Sequence, residues 1–217
     1  MNSGSTQLRI WCVGLAVTGL AVVISYFWID RPVANFVHAQ IADKSIFIWM
    51  QRFPEALPCF SAVILVWAGV WVLLGRALSR CQSVLLLCAL SYVTSAAVNN
   101  QLKFAFGRMW PETWVNNNPS LIHDGAYGFA PFHGGPGFAS FPSGHATAIC
   151  SVMAALWLCL PRWRAVYAVC VAAVVIGLLG ADYHFVSDIL AGAFVGWSAG
   201  WTTVTIWRGR NHAALSQ

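Results

Sequence analysis

The chain has 217 residues, of which 59% are hydrophobic and only 9% are charged, with a formal net charge of +5. Soluble domains run at ~45–50% apolar and ~25% charged, and disorder needs low hydrophobicity, so this composition argues against both. No block of basic residues accompanies the positive balance, and no partnership with nucleic acid is expected.

A membrane-crossing helix needs about 20 mainly apolar residues. Residues 10–29 meet this without a charge, and residues 56–75 do so again. A third run extends from Ser83 to about Gln101 and turns polar at Asn99 and Asn100. The fourth runs from about Gly144 to Leu160, the fifth from Ala165 to Ala181, and the sixth from Ser187 to Trp207 with Asp188 at its mouth. The fold expected is therefore all-α: a polytopic membrane protein of six transmembrane helices forming one domain over 1–217. The first run ends in SYFWID, without a small-x-small cleavage site, so it reads as a span and not as a signal peptide. The seven Cys lie in or beside these runs with no metal-binding spacing, and read as small apolar residues.

Charge placement sets the orientation. Taken from the N-terminus, alternate connections hold Arg9, Arg76, Arg80, Arg162, Arg164, Arg208 and Arg210, with no acid. The other side holds Arg31, Lys44, Arg52, Lys103 and Arg108 with all seven acids: Asp30, Asp43, Glu55, Glu112, Asp124, Asp182 and Asp188. Both termini are expected inside, and the long loop at 104–142 outside. The outward acids form no run suited to a hard cation, and neither metal nor cofactor is expected.

The outward side carries the chemistry. Residues 30–55 read either as a plain connector or as an interfacial amphipathic helix. The loop at 104–142 is 39 residues long and holds nine aromatics together with the HGGPG stretch at 133–137. Loops beyond ~12–15 residues are usually functional or disordered, and the aromatic content argues against disorder. It reads as a lid or wall for an amphiphilic substrate, with Trp110 and His133 as wall residues, or as an aromatic belt.

Three segments stand at span ends on that face: KFAFGRMWP at 103–111, FPSGHA at 141–146 and YHFVSD at 183–188. His184 and Asp188 are four apart, the spacing of one helical face. An aspartate there fixes the imidazole tautomer and leaves the other ring nitrogen as a nucleophile. Pro142-Ser143-Gly144 at a helix start offers backbone N–H groups and a positive dipole end, which is an anion site. Two histidines, two cations and a helix N-terminus together suit phosphoryl transfer.

These segments resemble the type 2 phosphatidic acid phosphatase superfamily, the lipid phosphate phosphatases related to vanadium haloperoxidases. The resemblance covers about residues 83–205. Pro142-Ser143-Gly144-His145 matches its second motif fully, His184-x3-Asp188 the second half of its third, and Lys103 and Pro111 its first. It implies a site at the outer membrane face, a phosphohistidine intermediate and no metal. It assigns His184 as nucleophile, Asp188 as orienting carboxylate and His145 as leaving-group acid, with Lys103, Ser143 and Gly144 on the phosphate. The chain departs from the pattern twice. Trp110 stands where the family has the arginine before the proline, and Gly177-Leu178 where it has Ser-Arg.

With both arginines displaced, Arg108 is expected to supply the missing grip on phosphate, the alternative being that it snorkels to lipid head groups. A gripping role predicts that Arg108→Lys loses activity while stability is kept. The reading is a bacterial inner-membrane phosphatase that hydrolyses a lipid phosphomonoester or diphosphate from the periplasmic or exterior side. Its rivals are a lipid-to-lipid phosphotransferase and a non-catalytic lipid-binding or transport protein on the same scaffold.

Overall fold

A computed structural model describes residues 3–114 and 117–214. The side chain of Arg210, one of the expected inward arginines, lies outside those described. Helix α1 (Ser3–Ile24) passes through one π-helical turn (Ser25–Ile29) into α2 (Asp30–Gln40). There follow α3 (Ser45–Gln51), a 3₁₀ turn (Phe53–Ala56), α4 (Leu57–Leu73), α5 (Arg80–Phe106), the single turn α6 (Leu121–Asp124), α7 (Gly144–Cys159), α8 (Arg164–Gly180) and α9 (Val186–Ala214). Among the described residues there is no strand, only isolated bridges that pair Arg108 with Phe129 and with Ala139, and Trp110 with Ser120.

Each apolar run read from the sequence forms a helix. Among the described residues, five stretches are long and apolar enough to cross a membrane: Ser5–Gln40, Ser45–Leu73, Arg80–Phe106, Pro161–Gly180 and Val186–Gly209. The run at 144–160 becomes α7, whose 16 residues extend only about 24 Å at 1.5 Å per residue. This shorter helix is the centre of the bundle. It packs against α9 above all, then α5 and α8, and every residue from Ala146 to Ala155 is buried. A central helix shielded by neighbours does not need to reach both bilayer surfaces, because its free ends are satisfied within protein. The outermost helices are the reverse. The exposed side chains of α1 and α4 include Leu8, Ile10, Val13, Val17, Leu20, Phe60, Val63 and Val66, an apolar surface that suits lipid and not water.

The tightest helix pair rests on a glycine stripe in α9. A Cβ on Gly192 would lie 2.4 Å from the Ser143 carbonyl oxygen, on Gly196 2.2 Å from that of Thr147, and on Gly200 2.5 Å from that of Ser151. Spaced by four, these positions form one face along which the two backbones touch, the packing used where lipid supplies no hydrophobic drive. Thr147 fastens the seam, its hydroxyl donating to the carbonyls of Ser143 and Gly192.

Asp30 at the start of α2, Glu55 before α4, Lys103 near the end of α5, Gly144 opening α7, and His184 between α8 and α9 all meet at one end of the bundle. Arg208 bonds the Leu158 carbonyl at the other. The loop at 104–142 covers the site end. Gly107 ends α5 in the left-handed conformation (φ 59°), and a Cβ there would lie 1.9 Å from the Ala130 carbonyl oxygen, so only glycine fits. This turn sends Arg108 inward, and the bridges from Arg108 to Phe129 and Ala139 wrap the remaining loop around it.

Candidate active site

A cavity of about 370 Å³ opens at this end, bounded by α5, α7, the turn before α4 and the α8–α9 connection. His184 lines it and is buried. Its Nδ1 lies 3.4 Å from Asp188 Oδ2, and its ring centroid 5.1 Å from that of Trp110. Asp188 is fully buried. Its Oδ2 also accepts from the Ser140 hydroxyl at 2.6 Å and the Phe185 amide at 3.0 Å. A carboxylate only accepts, so Nδ1 carries the proton and Nε2 keeps its lone pair. Burial pulls the His184 pKa below its ordinary value, and the hydrogen bond and charge of Asp188 offset this in part.

The α7 N-terminus faces the same space. Ser143 is its N-cap: the hydroxyl accepts from the Ala146 amide at 3.3 Å, and its own amide donates to the Asp188 carbonyl at 3.0 Å. Ser143 is therefore buried behind the cavity wall. Gly144 and His145 line the cavity directly, in the first turn, where backbone N–H groups have no intrahelical acceptor. Lys103 reaches in from the last turn of α5, where its ammonium donates to the Ala139 carbonyl. A Cβ on Gly144 would be 3.9 Å from that ammonium, so cation and helix end share one spot. Trp110 lines the cavity and is fixed by a 2.8 Å bond from its indole N–H to the Pro136 carbonyl.

Besides Ser143, two expected site residues stand off the cavity lining. His133 is exposed, stacks on Phe138 and does not line the cavity. Arg108 is 0% exposed and does not line it either. Its Nη1 donates to Asp188 Oδ1 and Ser187 Oγ, both at 2.5 Å, and its Nη2 to Asp30 Oδ2 at 2.8 Å and the Tyr127 hydroxyl at 3.1 Å. The Phe185 ring covers the guanidinium carbon at 4.3 Å. Arg108 thus holds the back of Asp188 and neither grips substrate nor snorkels. The reason is Gly107, whose turn points the side chain away from Lys103.

The fold also brings in residues the sequence reading passed over. Glu55 lines the cavity mouth, with Oε1 3.8 Å from His145 Nε2. Asn99, buried on α5, donates to the Pro142 carbonyl and to Thr147 Oγ1, tying α5 to the start of α7. Ser140 and Asp30 complete the surroundings of Asp188. A polar residue that breaks an apolar run is the signal for Asn99; Asp30 and Glu55 read only as span-end acids.

The outward acids do gather in one place, contrary to expectation. His38, Glu112 and Asp182 bring their ligand atoms within 4.8 Å of one another, a geometry that could hold a metal ion. The Lys44 ammonium lies 3.3 Å from Asp182 and 3.9 Å from Glu112 and neutralises the same carboxylates. Burial raises the Asp182 pKa, and Lys44 opposes the rise. The cluster ties α2, the loop and the α8–α9 turn together through opposite charges.

The PAP2 superfamily model matches residues 84–212. The lipid A 1-phosphatase of Rhizobium johnstonii is 31% identical over 204 residues, covering 89% of this chain and 80% of that protein. The protein of the same name from Rhizobium etli is 32% identical over 198 residues, covering 86% and 81%. Among solved structures, a PAP2 type phosphatidylglycerolphosphate phosphatase from Bacillus subtilis aligns over 93% of this chain and 87% of its own, at 17% identity and a TM-score of 0.41.

Proposed function

Since the chain belongs to the PAP2 superfamily of membrane lipid phosphatases, we propose that it hydrolyses a lipid phosphomonoester at the outer face of a bacterial inner membrane through a phosphohistidine. The observation that carries this reading is the His184–Asp188 pair facing a cavity that also holds His145, Lys103 and the α7 N-terminus.

In the first half-reaction His184 Nε2 attacks phosphorus and an N–P bond forms. The P–O bond to the lipid breaks, and His145 gives the departing oxygen a proton. Asp188 supports the positive charge that builds on His184. Lys103 and the first-turn amides of α7 hold the phosphoryl oxygens, the charge stabilisation on which phosphoryl transfer depends. In the second half His145 takes a proton from water, the water oxygen bonds phosphorus, and the N–P bond breaks to release phosphate.

The 1-phosphate of lipid A, named by both rhizobial relatives, is the first substrate to test. Phosphatidate, phosphatidylglycerol phosphate and polyprenyl diphosphate complete the panel. The arginine distribution supports both termini inside, with α7 counted as a sixth crossing. Release of inorganic phosphate from that panel by purified protein, with His184→Ala as control, tests the reading. Turnover that survives His184→Ala would refute the nucleophile.

A further inference from the structure

We propose that Asp30, which lies outside the family-matched region, is a positioning residue for the nucleophile: through Arg108 it fixes Asp188 and leaves a surplus negative charge beside His184. The inference rests on His184 as nucleophile.

Asp30 follows the π-helical turn that ends the first long helix, and π turns within α-helices are frequent at functional sites. It is fully buried, an expensive place for a carboxylate unless it is paired. Its Oδ1 accepts from the Ser187 amide at 2.9 Å, and its Oδ2 accepts from Arg108 at 2.8 Å, from the Ser187 hydroxyl, and from the Tyr127 hydroxyl at 3.3 Å. Ser187 directly precedes Asp188. Asp30 therefore grips the start of α9 at the residue next to the orienting carboxylate, and it also holds the arginine that holds that carboxylate.

The charges carry the argument beyond anchoring. Asp30 and Asp188 contribute two negative charges and Arg108 one positive, so the buried trio has a net charge of −1. Attack on phosphorus puts a positive charge on His184, and the group of four then sums to zero. Without Asp30, Arg108 would cancel Asp188, and the cationic imidazole would face a neutral trio. The other charged or titratable groups around the imidazole, its cavity and the trio are Lys103 and Tyr92 on α5, His145 on α7, Glu55 at the mouth, the neighbouring Tyr183, and Tyr127 beside Arg108 and Asp30. None of them supplies a second buried anion.

The test uses full-length protein in detergent with lipid A carrying its 1-phosphate as substrate. Asp30→Asn should lower kcat about tenfold or more with KM within threefold, and should move the acid limb of kcat down by about one pH unit. Asp30→Glu should keep the wild-type limb because it keeps the charge. The double variant Asp30→Asn, Arg108→Met again leaves −1 beside His184, and should return the limb to its wild-type position even where kcat stays low. That variant also carries the test if Asp30→Asn alone does not accumulate. A purely structural peg would change yield and thermal stability and leave the limb in place. An unmoved limb in Asp30→Asn, a displaced limb in the double variant, or a loss confined to KM would overturn the proposal. Turnover by His184→Ala would instead remove the nucleophile reading beneath it.

Discussion

Arg108→Lys separates the geometry of this site most sharply from what its motif suggests. The guanidinium spans two carboxylates from two nitrogens, Nη1 to Asp188 and Nη2 to Asp30. A lysine ammonium is a single point on a shorter stem and cannot meet both. One buried carboxylate is left without its partner, and breaking a buried ion pair from one side costs about 3–5 kcal/mol. Set against a total stability of about 5–15 kcal/mol, this is a large share. For a chain of this size it corresponds to a fall of roughly 10 °C in the unfolding midpoint. The assay is thermal unfolding in detergent, followed by tryptophan fluorescence, beside phosphate release at a temperature where both proteins are folded. Activity and stability should fall together. A phosphate-gripping arginine would lose activity with an unchanged midpoint. An unfolding midpoint within about 1 °C of wild type would refute the buried ion-pair account.

Asp188→Asn should cut kcat by about 10³-fold or more, because an amide no longer enforces the Nδ1–H tautomer or supports the imidazolium; a loss under tenfold would count against the pair. The depressed pKa of His184 means that the imidazole stays neutral, and nucleophilic, below the ordinary histidine value of 6.5. The acid limb of kcat/KM should therefore lie below pH 6.5, with activity falling as pH drops through it, and a midpoint above 6.5 would contradict the burial argument. Gly196→Ala puts a Cβ 2.2 Å from the Thr147 carbonyl oxygen and should cost at least 1–3 kcal/mol, whereas Gly19→Ala meets nothing within 4 Å and should leave the unfolding midpoint close to wild type. Trp110→Arg restores a cation to the cavity wall beside Lys103, and inhibition by inorganic phosphate should tighten about tenfold; no tightening would mean that position 110 does not reach the anion.

The helices were legible because lipid imposes long apolar runs, and the boundaries at 57, 144, 164 and 186 fall within a residue or two of the runs read from the chain. Helix α5 outlasts its apolar run: Asn99, Asn100 and Lys103 break the run because they project into the cavity, while the backbone stays helical to Phe106. The glycines of ILAGAFVGWSAG repeat every four residues, a small-residue face visible in the sequence, but only the fold names α7 as the helix it meets. The cavity residues His145, His184, Lys103 and Gly144 were legible from motif spacing. Arg108 was not, since its distance from Lys103 along the chain says nothing of the reversal at Gly107. Its partner Asp30 lies 78 residues away. Neither helical period nor local motif links such positions, and only the packed bundle brings them together.

The most direct test of the account is to trap the intermediate. Wild-type protein is mixed with lipid A bearing a radiolabelled 1-phosphate and quenched in alkali within the first turnover, and the labelled peptide is then sequenced. The account predicts label on Nε2 of His184, because Nδ1 is turned toward Asp188, and no label in His184→Ala. Phosphate release without any label on His184, or label retained in His184→Ala, would contradict it.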